Sequence, residues 1–87
     1  MTEKIPPQNI EAEQSLLGSM LIDRDAVIAV SGWLAPEHFY EERNSIIYDN
    51  IIELFNEALP VDIITLSDRL KKKKQLTKIG GRTYLAD

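Results

Sequence analysis

The chain has 87 residues, 44% of them hydrophobic and 28% charged, with no cysteine and a formal net charge of −4. That is the size of one domain with a modest core, has the composition of a globular chain, and leaves out disulfide and thiolate chemistry. Apolar runs fall well short of the roughly 20 residues a membrane span needs, and the polar start with Pro6 and Pro7 lacks the form of a secretory signal, so a cytoplasmic, non-membrane protein is expected.

Residues 1–8 read as an extended lead-in, because Pro6-Pro7 holds the backbone out of helix. Asn9 is a favourable N-cap, and the spacing after it predicts a helix over 10–22. Ile10, Leu16, Leu17, Met20 and Leu21 share one face, while Glu11 and Glu13 sit where the positive end of the helix dipole favours acid. A second stripe is small: Ala12, Ser15, Gly18 and Ser19. Glycine inside a helix costs about 1 kcal/mol relative to alanine, so close approach of another helix to that stripe is expected. Asp23 can close this helix and cap the next, in which Val27, Val30 and Leu34 recur at helical spacing. Gly32 weakens its end, Pro36 stops it, and 36–39 reads as a single helical turn.

The third helix carries Ile47, Ile51, Leu54, Phe55 and Ala58 on one face and Asp49, Asn50, Glu53 and Glu57 on the other, and Pro60 ends it. After a crossing at 61–64, Thr65 and Asp68 resemble a capping box, with Ile63, Leu66 and Leu70 as the buried stripe of a fourth helix. Ile79-Gly80-Gly81 is a turn where positive φ is available, and a last helix opens at Gly81 with Tyr84 and Leu85 on one side. Trp33, Phe39, Tyr40, Tyr48 and Phe55 adjoin apolar positions, and core is expected for most of them. Alternating strand patterns are missing. The expectation is an all-α fold, a compact orthogonal bundle of about five to six short helices around a central first helix.

Chemistry is sparse. His38 is the only histidine and has no serine or cysteine partner in a motif, and a metal site would have to be built from carboxylates alone. Glu41-Glu42 and Glu11/Glu13 point to different helix faces. Gly80-Gly81-Arg82-Thr83 lacks the GxxxxGK[ST] spacing that wraps phosphates. No catalytic, cofactor-binding or metal residue is assigned. Charge is uneven: residues 1–62 hold twelve acids and three bases, residues 63–87 seven bases and two acids. Arg69, Lys71, Lys72, Lys73, Lys74, Lys78 and Arg82 could form a basic patch that binds phosphates without sequence preference. No aromatic is interleaved to stack bases, and a solvated helix end is the plainer reading. A small helical nucleic-acid-binding module using 69–82 is therefore the alternative to an interaction domain.

Five stretches, in order, carry a resemblance. They are Ile5-Pro6-Pro7-Gln8-Asn9; Glu11-Ala12-Glu13-Gln14 with Leu17-Gly18; Pro36-Glu37-His38-Phe39-Tyr40; Pro60-Val61-Asp62-Ile63-Ile64-Thr65-Leu66; and Ile79-Gly80-Gly81 with Tyr84-Leu85. Together they resemble the N-terminal domain of DnaB-type bacterial replicative DNA helicases. One departure is Asn44, where a histidine is common in the family. The resemblance implies that residues 9–87 are a helical head, with the ATPase motor, its ATP and its Mg outside these 87 residues, so that the fragment itself is not an enzyme. It implies a role in DNA replication as an assembly domain, with other copies of the domain pairing into the collar of a hexameric ring. It also implies docking of the C-terminal domain of primase, with DNA contact weak or indirect. Glu11 and Tyr84 match positions where the family places part of the primase contact.

Overall fold

The computed structural model describes residues 9–86, and the lead-in at 1–8 lies outside them. Five α-helices and one 3-10 turn follow in order: α1 (Ile10–Ile22), α2 (Arg24–Ser31), the turn Pro36–His38, α3 (Glu42–Asn56), α4 (Ile63–Lys72) and α5 (Gly81–Ala86). Among the described residues no strand occurs, as the missing alternation implies.

Local chemistry sets most of the boundaries. The Asn9 side chain accepts from Ala12 N at 2.9 Å, and Asp23, closing α1, accepts from Asp25 N at 2.9 Å to open α2. The cap of α4 is Asp62, which accepts from Thr65 N at 2.8 Å, so the helix begins ahead of the expected Thr65–Asp68 box. That bond also holds the Asp62 carboxyl below its ordinary range. At its other end α3 stops at Asn56, before Pro60 acts. Ala58 takes φ 60°, its N–H donates to Phe55 O at 3.1 Å, and Leu59 N donates to Leu54 O at 2.9 Å. Lys74, at φ 61°, closes α4 in the same way through Lys74 N to Lys71 O and Gln75 N to Leu70 O. Both are Schellman closures built on a residue with a Cβ, where glycine is the usual choice.

The helix at the centre is α3, not α1. Asn44, Ile47, Tyr48, Asn50, Ile51 and Leu54 of α3 are buried, whereas α1 buries only Leu17 and Met20. Fifteen residues with apolar groups spread round the cylinder can meet α1, α2 and the 3-10 turn on one side and α4 on the other. Val27, Val30, Phe39, Leu66, Leu70 and Ile79 complete the core. Tyr48 is wholly buried, stacks at 5.1 Å between ring centroids on Phe39, and donates its hydroxyl to Leu34 O at 2.6 Å. Burial pushes its phenol pKa up.

Several positions depart from the sequence expectation. Ser15, Ala12 and Ser19 face solvent, and a Cβ added at Gly18 would meet nothing within 4 Å. The small stripe is therefore not a close helix contact. It borders a groove of about 540 Å3 that Gly18, Leu21, Ile22, Ile63, Ile64 and Leu85 line. Trp33 and Tyr40 lie outside the core, 67% and 60% exposed; Trp33, just past the end of α2, donates its indole N–H back to Ala29 O of that helix at 2.9 Å. Ile63 is 37% exposed, and Ser67 takes its place on the buried stripe of α4. Asn50, expected to face outward, is buried because its amide donates to Ile46 O at 2.8 Å and to Gln75 Oε1 at 3.0 Å.

Candidate functional site

Among the described residues the Glu13 carboxylate accepts three hydrogen bonds. It projects from the first turn of α1 to the start of α3, a helix to which it does not belong. There it accepts from Tyr40 N at 2.7 Å, from Glu41 N at 3.3 Å and from Asn44 Nδ2 at 2.9 Å. The first N–H groups of a helix have no partner within it, and Glu41, the N-cap of α3, supplies no side-chain bond. Glu13 thus caps α3 from across the fold and places a negative charge at its positive end.

Asn44 passes the connection on. Its Oδ1 accepts the Tyr84 hydroxyl of α5, and Gln14 Nε2 of α1 donates to the same hydroxyl at 3.1 Å. The Arg43 guanidinium stacks 4.1 Å above the Tyr84 ring, an attraction between cation and ring quadrupole. Gly80 makes room for this. At φ 102° it turns the chain into α5, and a Cβ there would stand 3.3 Å from Tyr84 Cβ and 3.4 Å from an Arg43 nitrogen. Tyr84 is therefore half-buried and bound to α1 and α3 at once, while Glu11 stands exposed in the first turn of α1. Glu11 and Gln14 are three residues apart, one turn on the same helix face, and Gln14 is the α1 residue bonded to Tyr84. Of Glu11 and Tyr84 only Tyr84 is part of the network; Glu13, which carries it, was read from sequence only as an acid in the first turn.

The seven cations of 69–82 do not form a single patch. Arg69 reaches Glu53 at 3.0 Å and Glu57 at 2.6 Å, and Lys73 reaches Glu53 at 2.9 Å, so these two are turned towards α3. Lys73 first, and then Arg69, hold the Glu53 carboxyl below its ordinary range; Arg69 does the same for Glu57. The carboxylates in turn raise the Arg69 pKa. Lys78 pairs with Glu42 at 3.3 Å. Lys72 is exposed, and Lys71, Lys74 and Arg82 lie beside one cleft.

His38 accepts at Nδ1 from Ala35 N at 2.8 Å and steadies the 3-10 turn. No group of three or more His, Cys, Asp or Glu side chains among the described residues could hold a metal ion. Nor is any described helix long and apolar enough to cross a membrane.

Fold and site together define a small all-helical domain whose polar side chains are spent on joining helix to helix. The chain belongs to the family described as the DnaB-like helicase N terminal domain, which matches residues 5–87. It is 38% identical over 86 residues to the replicative DNA helicase DnaB of Geobacillus stearothermophilus, covering 99% of this chain and 19% of that protein. To the replicative DNA helicase DnaC of Bacillus subtilis (strain 168) it is 36% identical over 87 residues, again 19% of the relative's length. The crystal structure of the N-terminal domain of DnaB helicase from Mycobacterium tuberculosis matches with a TM-score of 0.88 and 39% identity, over 94% of this chain and 57% of that one. The chain thus spans about one fifth of these curated relatives. It corresponds to the N-terminal domain of a replicative helicase and not to the ATPase motor.

Proposed function

We propose that residues 9–87 act in the cytoplasm as a non-catalytic assembly and protein-docking head of a hexameric replicative DNA helicase. The head supports the N-terminal collar through other copies of the domain and docks the C-terminal domain of primase, while ATP and Mg belong to the motor domain. The observation that supports docking is the link between α1 and α5. Tyr84 is tied to Gln14, one helical turn from Glu11, so both candidate contact residues are presented on a fixed frame.

Calorimetric titration with the primase C-terminal domain tests this. Glu11→Ala is expected to weaken the complex about tenfold, or about 1.4 kcal/mol, with an unchanged melting temperature. Tyr84→Ala is expected to lose affinity and melting temperature together, because it also breaks the bonds to Gln14 and Asn44. An undetectable complex with the unaltered chain, or an unchanged affinity for Glu11→Ala, overturns the assignment.

A further inference from the structure

Arg69, Lys73 and Lys78 are committed to carboxylates of α3. Lys71, Lys74 and Arg82 enter none of those pairs. With Ser67, Asp68 and Thr77 they line a cleft of about 440 Å3 between α4 and the start of α5, within the roughly 300–1,000 Å3 of clefts that hold small ligands. We propose that this cleft binds phosphate groups, presented either by a single-stranded nucleic-acid backbone or by a free polyphosphate.

The chemistry is that of a phosphate site. Arg82 offers a planar fork of donors, and the two lysines act as point charges. The closure of α4 fixes one of them: Lys74 at φ 61°, anchored by its own N–H to Lys71 O and by Gln75 N to Leu70 O, leaves the helix on the side of the cleft. Thr77 brings a hydroxyl. Ser67, 3% exposed at the cleft wall, has a hydroxyl with no hydrogen-bond partner among the described residues. Asp68 and the negative end of the α4 dipole subtract from the field, so affinity is modest and falls with salt. No aromatic lines the cleft, which leaves bases unstacked and makes recognition one of phosphate rather than of sequence.

The test is fluorescence anisotropy of an end-labelled oligothymidylate with the whole chain across a salt series, with inorganic pyrophosphate as competitor and as a calorimetric ligand by itself. Three phosphate contacts on a single strand give a log–log salt slope of about −2, close to a twentyfold loss of affinity for a fourfold rise in salt. Lys71→Gln and Arg82→Gln are each expected to weaken binding severalfold and to shallow that slope. Lys72→Gln removes the same charge from the same helix outside the cleft, and is expected to change affinity less than twofold. Pyrophosphate that binds alone or displaces the oligonucleotide assigns the cleft to free polyphosphate. Oligonucleotide binding that depends on Lys71 and Arg82 but resists pyrophosphate assigns it to the extended backbone. If neither probe binds at low salt, or if Lys72→Gln weakens binding as much as Lys71→Gln does, the cleft is not a phosphate site.

Discussion

Glu13→Ala separates two roles for one carboxylate. As an acid in the first turn of α1 its worth is that of a charge near a helix end, about 0.3–1 kcal/mol. As the cap of α3 it is worth more, because alanine leaves Tyr40 N, Glu41 N and Asn44 Nδ2 without their acceptor. A hydrogen bond to a charged group contributes roughly 1.5–3 kcal/mol. The exposed Tyr40 N–H recovers water, the two part-buried donors recover less, and the bonds are not additive. The expected loss is therefore about 2–4 kcal/mol. A chain of 87 residues has a total stability of about 4–13 kcal/mol, so the melting temperature should drop by roughly 10–25 °C. Urea unfolding at neutral pH, followed by helical circular dichroism, measures it, with an unchanged m-value as the check that the transition is the same one. Glu13→Gln keeps an acceptor without the charge and should fall between Glu13→Ala and the unaltered chain. A loss below about 1 kcal/mol for Glu13→Ala would reduce Glu13 to a local dipole effect and remove the cross-helix cap.

Ala58→Gly should stabilise the domain by about 0.5–1 kcal/mol, because relief of the left-handed conformation outweighs the added entropy of the unfolded chain; thermal unfolding reads the gain, and a lower melting temperature would contradict it. The Glu53–Glu57–Arg69–Lys73 group should make stability depend on acid. Glu53 and Glu57 titrate below their usual value of 4.5 in the folded chain, so their contribution is complete above that value and is lost as pH falls through the lower folded values. The melting temperature should decline as pH falls below 4.5, and Arg69→Gln should flatten that decline. Added salt should shrink the effect too, since the group is near the surface.

What the sequence reveals is what its neighbours within a helical turn decide. The bounds of α1 follow from an Asn9 cap and an apolar period, and the positive φ of Gly80 and Gly81 follows from two adjacent glycines before a helix. Contacts between distant segments are a different matter. Glu13 and Asn44 are 31 residues apart, Asn44 and Tyr84 are 40 apart, and nothing local in either spacing marks them as partners. Asn50 reads as a surface residue by polarity, yet Gln75, 25 residues later, makes its burial affordable. The seven cations of 69–82 look alike in sequence, and only the position of Glu42 and Glu53 on α3 and of Glu57 at its C-cap divides them into paired residues and cleft residues. Gly18 misleads in the opposite way: its lack of a side chain suggests a tight crossing, whereas α4 begins far enough away to leave a groove.

Asn44 shows how packing and presentation of the surface depend on the same atoms. The position must do two opposed things, donate to the Glu13 carboxylate and accept from the Tyr84 hydroxyl. An amide carries both functions on one planar group, and so does a neutral imidazole, with one N–H and one bare nitrogen. A histidine at this position would therefore serve the same link, but only while neutral. Protonated, it keeps the bond to Glu13 and loses the acceptor for Tyr84. Asparagine carries both functions without titrating itself, and so links α5 to α1 and α3 through Tyr84 and Glu13. A surface so tied to the core must be probed by substitutions whose effect on folding is measured alongside their effect on binding.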